Sequence, residues 1–421
     1  MNFNIPFFYS DDSILNRAWG TAIGDIVGTI APYRAGLLQK EVPCLIAGHD
    51  YSTPWTRDAA INTMLSLAFL SPDVAKNTLL SVCSIVDGKR IVSGWGQDWD
   101  AVIWILGAYQ YWQVTDDSDF YPLMCEIAQN SLACFEKSAY DTELGLFRGP
   151  AVYGDGVSAY PDKFGCIKQS GIIGCPYHMY TLSTNCVYEI CYRIASDVGI
   201  PGSLPIAQQL RNSINQHFWN EETKRYDYIA GECSYQEGLG LSLALLSDIA
   251  EPARAHQLIT HTQLTPNGLA CVYPSFERYK KSGGIGRHSG TIWPFIHGFW
   301  GLALRKYGYT ELFDQTLYAL AHKACRDGQF AELYHGDTGE IYGGLQEDAP
   351  NGVIRMWRAG IRQSWSASAF VALIVYGLFG CQWNKGRMKY HPQASGICQS
   401  AKLYGLQNEN RILEMNNHCI N

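Results

Sequence analysis

The sequence predicts an all-helical fold, an (α/α)6 barrel of six helical hairpins with long loops at one end. Three observations predict it. Helical periodicity recurs along almost the whole chain, the loops within successive pairs of periodic segments are short, and the loops between pairs are long and rich in Gly, Pro, Tyr and Asp. The periodic segments lie at 12–30, 56–70, 72–87, 98–114, 118–138, 181–199, 203–219, 236–247, 250–260, 289–307, 309–327 and 363–379. In 56–70, for instance, Ile61, Met64, Leu65 and Ala68 recur at helical spacing, with Thr56 as an N-cap candidate and Pro54 just before it. Alternating strand patterns are few. Twelve helices in hairpins suit a ring of inner and outer helices. The long connections at 31–55, 139–180, 220–235, 261–288 and 328–362 would then gather over its mouth. Loops longer than about 15 residues are usually functional. Beyond about 380 the helical period is lost, so 381–421 is expected to be a non-helical extension packed across the barrel. No linker calls for a second domain, and 1–421 is expected to be one catalytic barrel.

Composition narrows the function classes. The 421 residues are 47% hydrophobic, enough for a large core, and the net charge of −7 is spread along the chain. Without a basic tract, nucleic acid is not an expected partner. No apolar run approaches the roughly 20 residues that span a bilayer. The start, MNFNIPFFYSDDS, has neither the basic region nor the apolar core of a signal peptide. The 14 cysteines are scattered singly, without a C-x-x-C pair. Several, among them Cys83, Cys125, Cys134, Cys186 and Cys191, fall inside apolar helical runs and are expected to be small buried residues in a reducing compartment. The expected location is cytoplasmic. No organic cofactor and no metal in the site are expected, and a structural Ca²⁺ stays open although no EF-hand-like loop supports it.

Aromatic residues mark the loops. Trp104, Trp112 and Trp300 sit in helical stripes and read as core, whereas Trp95 and Trp99 in SGWGQDWDA, Tyr153 and Tyr160 in VYGDGVSAYP, and Trp293 in HSGTIWPF sit beside Gly and charge. The stretch YSTPWTRDAA poses the sharpest question, because an apolar helix opens there with Trp55, Arg57 and Asp58. An Asp in a first turn suits the helix dipole, and Arg57 could face water. Alternatively the trio is a sugar clamp, a flat ring face beside fixed donors and acceptors. Glycoside hydrolysis needs two carboxyls, one kept protonated as acid and, in an inverting enzyme, one to activate water. Asp155, between glycines and near tyrosines, is the acid candidate, since a desolvated pocket raises a carboxyl pKa. Glu332, after Phe330 and Ala331, is the base candidate. Both could instead be turn carboxylates bonded to local backbone, and Asp162, Glu340 and Glu347 are rivals in the same loops.

STPWTRDAA resembles the W-x-R-D segment of glucoamylase-type and family 63 glycosidases, at the start of the second barrel helix. The resemblance implies that Arg57 and Asp58 hold hydroxyls of the sugar in the −1 subsite, with Trp55 nearby. DGVSAYP is similar to the acid segment of family 63, and TLSTNCVYEICYRIA to its next helix. That segment often carries Glu-Ser-Gly before its Asp, where this chain has Tyr153 and Gly154. The Glu332 loop lies between the eleventh and twelfth helices, where the superfamily keeps its general base. QSWSASAF, with Trp365, resembles the Q-x-W-S-A start of the last helix. The likeness spans about 49–379 and implies an inverting exo-acting α-glycosidase. It points to the compact bacterial members that act on small α-glucosides and α-mannosides, including glucosylglycerate and mannosylglycerate. Gln97, Asp98 and Asp100 are expected to add hydroxyl contacts, Tyr160 to line the pocket, and Arg287, His288 and Trp293 to close the opposite wall. Two other classes compete. Sugar 2-epimerases share the barrel but use histidines, which are sparse in these loops (His49, His178, His288, His335). A non-catalytic carbohydrate-binding protein would have no need of carboxylates in both loops.

Overall fold

The structure is a computed structural model and describes residues 5–93, 98–154, 159–161, 179–231, 233–348, 352–406, 409 and 411–417. Among them, twelve principal helices fall within the periodic segments, although 72–87 is helical only to Ser81 and then forms a strand, Cys83–Val86, paired with Lys89–Val92. The helices are α1 (Ser13–Gly28), α2 (Thr56–Asn62), α3 (Pro72–Ser81), α4 (Trp104–Thr115), α5 (Phe120–Ala139), α6 (Leu182–Asp197), α7 (Ser203–His217), α8 (Gly238–Leu246), α9 (Pro252–His261), α10 (Pro294–Lys306), α11 (Thr310–Asp327) and α12 (Ser364–Ala372). α2 continues through a π turn, Thr63–Leu67, into Ala68–Leu70, and α12 runs on into a π turn at Leu373–Leu378. Short helical turns at Asp98–Ala101 and Glu277–Lys281 sit before α4 and α10.

Local chemistry sets the boundaries. The Asp12 carboxylate accepts from the Ile14 and Leu15 amides at 2.8 Å and caps α1. Proline opens α3, α9 and α10, where its missing N–H costs nothing. Gly328 ends α11 in the left-handed region. At α2 the expected cap is displaced by one residue. Trp55 takes the extended N-cap position and Thr56 is the first helical residue.

The even-numbered helices form an inner set. α2 packs on α4, α4 on α6, α6 on α8, α8 on α10, α10 on α12, and α12 on α2. α1 packs outside on α11 and α12, and α7 lies against α6. Small residues let the inner helices approach closely. A Cβ on Gly107 of α4 would stand 2.7 Å from the Ala60 Cα of α2, and one on Gly298 of α10 would stand 2.9 Å from the Ala369 Cβ of α12. The seam between α2 and α12 is polar. Asn62 donates to the Ser364 hydroxyl at 3.0 Å, Ser368 donates to the Asn62 Oδ1 at 2.7 Å, and Ser66 donates to Ser368 at 2.7 Å.

The connections from outer to inner helices are long and carry two-stranded ribbons, such as Thr291–Ile292 with Tyr334–His335 and Leu345–Asp348 with Val353–Met356. Past α12 the described residues form strands and loops. Ser400–Tyr404 pairs antiparallel with both Phe7–Ser10 and Leu413–Asn416. Trp104 and Trp300 are core residues. Among the described cysteines, Cys83, Cys186 and Cys191 are buried, but Cys125 is only half-buried and Cys134 is exposed on α5, contrary to their expected burial. Among the described residues no helix is long and apolar enough to cross a membrane.

Gly107→Ala should lower the melting temperature, since the new methyl group meets backbone, which cannot swing aside as a side chain can. Overpacking of this kind costs about 1–3 kcal/mol, and thermal unfolding followed by circular dichroism reads it.

Candidate functional site

The inner helices begin near one another, and their first turns supply the polar groups. Arg57, in the first turn of α2, lies with its Nη1 3.3 Å from the Asp100 Oδ1 of the turn before α4. The same nitrogen donates to the Val152 carbonyl at 3.1 Å. Asp58 accepts from Gln363 Nε2 at 3.3 Å, which ties the start of α2 to the residue that precedes α12. Arg57, Asp58 and Asp100 are all buried. A solvated helix start would leave them in water, so the bland reading of TRD does not hold. Groups of this kind are placed in an interior only where partners or a ligand satisfy them. Gln363 Oε1, Trp99 Nε1 and Trp365 Nε1 are buried and have no hydrogen-bond partner among the described residues.

Glu332 lies opposite, on the segment that leaves α11. It is 3% exposed, and three donors converge on its carboxylate. The Tyr51 hydroxyl donates to Oε1 at 2.8 Å. The Gly360 amide donates to Oε2 at 2.8 Å, and Arg287 Nη2 stands 2.7 Å from the same oxygen. Each carboxylate oxygen has two acceptor directions. Those of Oε2 are both used, while among the described residues Oε1 keeps one for a further donor. Burial and the adjacent Glu332 push the Tyr51 phenol up, so Tyr51 remains a donor. Arg287 is fixed in turn by the Gly343 carbonyl at 2.9 Å and by the Trp293 ring, 5.5 Å from its guanidinium carbon.

An aromatic wall joins the two sides. His288 lies between Tyr153, with ring centres 5.7 Å apart, and Trp293, at 5.0 Å, both roughly parallel to it. Trp293 meets Trp365 edge-on at 5.8 Å. The Trp293 indole N–H donates to the Arg287 carbonyl at 2.9 Å. Trp55 is half-buried at the head of α2.

Other sequence candidates stand apart from this cluster. Tyr160 is expected to line the pocket, but its hydroxyl is turned into its own loop. It donates to the Gly154 carbonyl at 2.7 Å and accepts from the Ala151 amide at 3.1 Å, so Tyr160 props that loop. Glu340 is exposed, 3.5 Å from Arg326. Glu347 is neutralised elsewhere, by Arg278 at 2.6 Å and the Tyr279 hydroxyl at 2.5 Å. His49 is exposed and His335 sits in a ribbon. Asp155, Asp162, Trp95, Gln97 and His178 lie outside the described residues, as does the side chain of Asp98. Among the described residues no group of three His, Cys, Asp or Glu could hold a metal ion.

Residues 205–366 match the family model described as "Mannosylglycerate hydrolase MGH1-like glycoside hydrolase domain". Over that stretch, less than half of its length, the chain is similar to a glycoside hydrolase domain. The match takes in Arg287, His288, Trp293, Glu332, Gln363 and Trp365, one wall of the cluster, and leaves out Arg57, Asp58 and Asp100. Among solved structures the chain is similar to the GH63 mannosylglycerate hydrolase of Thermus thermophilus, at 14% identity and a TM-score of 0.57, covering 85% of this chain and 100% of that one. It is also similar to a sialidase at 14% identity and a TM-score of 0.72, covering 99% of this chain. A GH78 rhamnosidase of a Bacillus species follows at 16% identity, a TM-score of 0.60 and 95% coverage. The chain spans 39% of the length of each of the last two. At these identities the likeness concerns the fold. A comparison with curated proteins finds no match.

The cluster also holds residues that the sequence does not single out. Tyr51 stands in the same stretch as the Trp-Arg-Asp trio, and Gln363 opens the Q-x-W-S-A segment, yet neither draws attention there. Glu237 is a third. It immediately precedes α8, is fully buried, and its Oε2 accepts from the Ser183 amide at 2.9 Å. Tyr153 adjoins it, so Glu237 backs the aromatic wall. A signal for it exists, since a carboxylate directly before the apolar run GLGLSLALL repeats the oddity of TRD.

Burial raises the Glu237 carboxyl to about 8 from its ordinary 4.5. A raised folded-state value means that the native protein holds this proton more tightly than the unfolded chain. The stability it brings is full below the ordinary value and is lost as pH rises towards the folded one. Glu237→Gln cannot ionise. The melting temperature of this variant should therefore rise relative to the wild type between about pH 5 and about pH 9, a trend that differential scanning calorimetry across buffers reads.

Proposed function

We propose that the domain is an inverting, exo-acting α-glycosidase on a closed (α/α)6 barrel. Its substrate in this reading is a small α-glucoside or α-mannoside, such as glucosylglycerate or mannosylglycerate. The single observation that carries the reading is the setting of Glu332. Its carboxylate is held by Tyr51, Arg287 and the Gly360 amide, and among the described residues one acceptor direction of Oε1 is unused. That is the arrangement a base needs to receive a proton from a water of fixed position.

In this mechanism Oε1 takes a proton from water as the water oxygen bonds to the anomeric carbon. The bond from that carbon to the leaving oxygen breaks on the opposite face. Asp155 supplies the proton that the leaving oxygen takes up. Its loop begins at Ala151–Gly154, which touches Arg57 through Val152 and His288 through Tyr153. The product therefore forms with the opposite anomeric configuration. Arg57, Asp58 and Asp100 hold sugar hydroxyls, with Trp55 and the residues of 95–98 beside them. The half-buried Trp55 offers a ring face to the apolar side of the pyranose and to the cation-like transition state. His288, wedged between two rings and 1% exposed, is poorly placed for the proton transfer that a 2-epimerase asks of its histidines. The name of the matched family favours glycerate glycosides over longer chains. Buried free thiols such as Cys83, Cys186 and Cys191 fit a reducing compartment and support a cytoplasmic location.

The test is steady-state hydrolysis of a panel of α-glucosides and α-mannosides, glycerate glycosides included. Glu332→Gln should lower kcat by about 10²–10⁴-fold, the usual worth of general acid–base catalysis. Arg57→Ala should act mainly by raising KM. Near wild-type kcat in Glu332→Gln would overturn the assignment of the base.

A further inference from the structure

Glu332 is held by its own loop, and that loop is held from behind. Asp25 belongs to α1, an outer helix, and its side chain points inward with 2% exposure. Its Oδ2 accepts the Phe330 amide at 2.7 Å, two residues before Glu332. From there hydrogen bonds run to the site. The Gln363 amide donates to the Phe330 carbonyl at 2.8 Å. The Glu332 amide donates to the Gly360 carbonyl at 2.9 Å, and the Gly360 amide returns to Glu332 Oε2 at 2.8 Å. The Arg362 amide donates to Gln329 Oε1 at 3.0 Å, and its guanidinium lies 3.9 Å from Asp25 Oδ1. Segments 329–332 and 360–363 thus form a paired unit, and Asp25 anchors one strand of it to the outer layer.

We propose that Asp25 is a positioning residue for hydrolysis, setting the place of the Glu332 carboxylate through the Phe330 amide. The inference rests on Glu332 being the base. The buried Phe330 N–H must have an acceptor. A neutral acceptor would serve stability as well, and at less desolvation cost than a carboxylate. Burial raises Asp25 to about 6, a sign of that cost. The gain lies in a short, directed bond that resists sliding of segment 329–332 along its partner. A displacement of about 1 Å at a catalytic group costs on the order of 100-fold in rate, while binding of the sugar by Arg57 and Asp58 on the far wall is unaffected.

The experiment compares kcat, KM and melting temperature for Asp25→Ala, Asp25→Leu and Asp25→Asn, with Glu332→Gln run beside them. Alanine and leucine remove the acceptor, and leucine keeps the volume filled should the alanine variant not fold. Asparagine keeps an oxygen that can accept the Phe330 amide. The expected result is kcat at least tenfold lower in the alanine or leucine variant, KM within about twofold, and most of kcat recovered in Asp25→Asn. A lowered melting temperature with unchanged kcat would overturn the proposal and leave Asp25 a stabilising residue only. Equal kcat losses in the leucine and asparagine variants would also overturn it. If Glu332→Gln stays active, the base assignment fails, and the positioning role fails with it.

Discussion

The site depends on the polar seam between α2 and α12. Asn62, Ser66, Ser364 and Ser368 bond one another in the interior, joining residues 302 to 306 positions apart in the chain. An apolar contact would hold two helices together while permitting a slide of a few ångströms. Buried hydrogen bonds permit far less, because a slipped donor or acceptor goes unsatisfied at a cost of about 1–3 kcal/mol each. The seam therefore fixes the register of the first and last inner helices. Everything chemical follows from that register. Gln363 meets Asp58, Ser364 bonds the Ala47 carbonyl at 2.6 Å, and Tyr51 reaches Glu332.

The same arrangement accounts for the charges. Each inner helix presents its amino-terminal end near the cluster, and these ends carry partial positive charge. Carboxylates gather there accordingly: Asp58 on α2, Asp100 before α4, Glu237 before α8, and Glu332 close to α12. Arginines answer two of them, Arg57 at Asp100 and Arg287 at Glu332. Glu237 is held by the Ser183 amide rather than by a cation, which is why its burial dominates and its carboxyl is pushed up.

Much of the fold was legible, and the reasons are local. Helical periodicity survives wherever one helix face is buried and the other wet, so twelve segments could be placed to within a few residues. The mouth was legible where a charge interrupts a helix that should be apolar, as at Arg57 and Asp58. Long-range pairing was not legible. Nothing in Tyr51 distinguishes it from other loop tyrosines until Glu332 is beside it, and Tyr160 looks like a pocket residue until its hydroxyl is seen to bond Gly154. Glu347 and Glu332 are alike in sequence, both in a long loop among glycines and aromatics. Arg278 and Tyr279 claim the first, and only three-dimensional contact reveals it. Cys134 sits in an apolar run yet faces outward, since one position of a helix turn decides exposure.

The central claim is that water, activated at Glu332, attacks the face opposite the leaving group. The most direct measurement is proton NMR of the anomeric signals in the first minutes of hydrolysis of an α-glycoside, before mutarotation mixes the products. The account predicts that the β-anomer appears first. An α-anomer appearing first would mean a retained configuration and a covalent intermediate, and would contradict it.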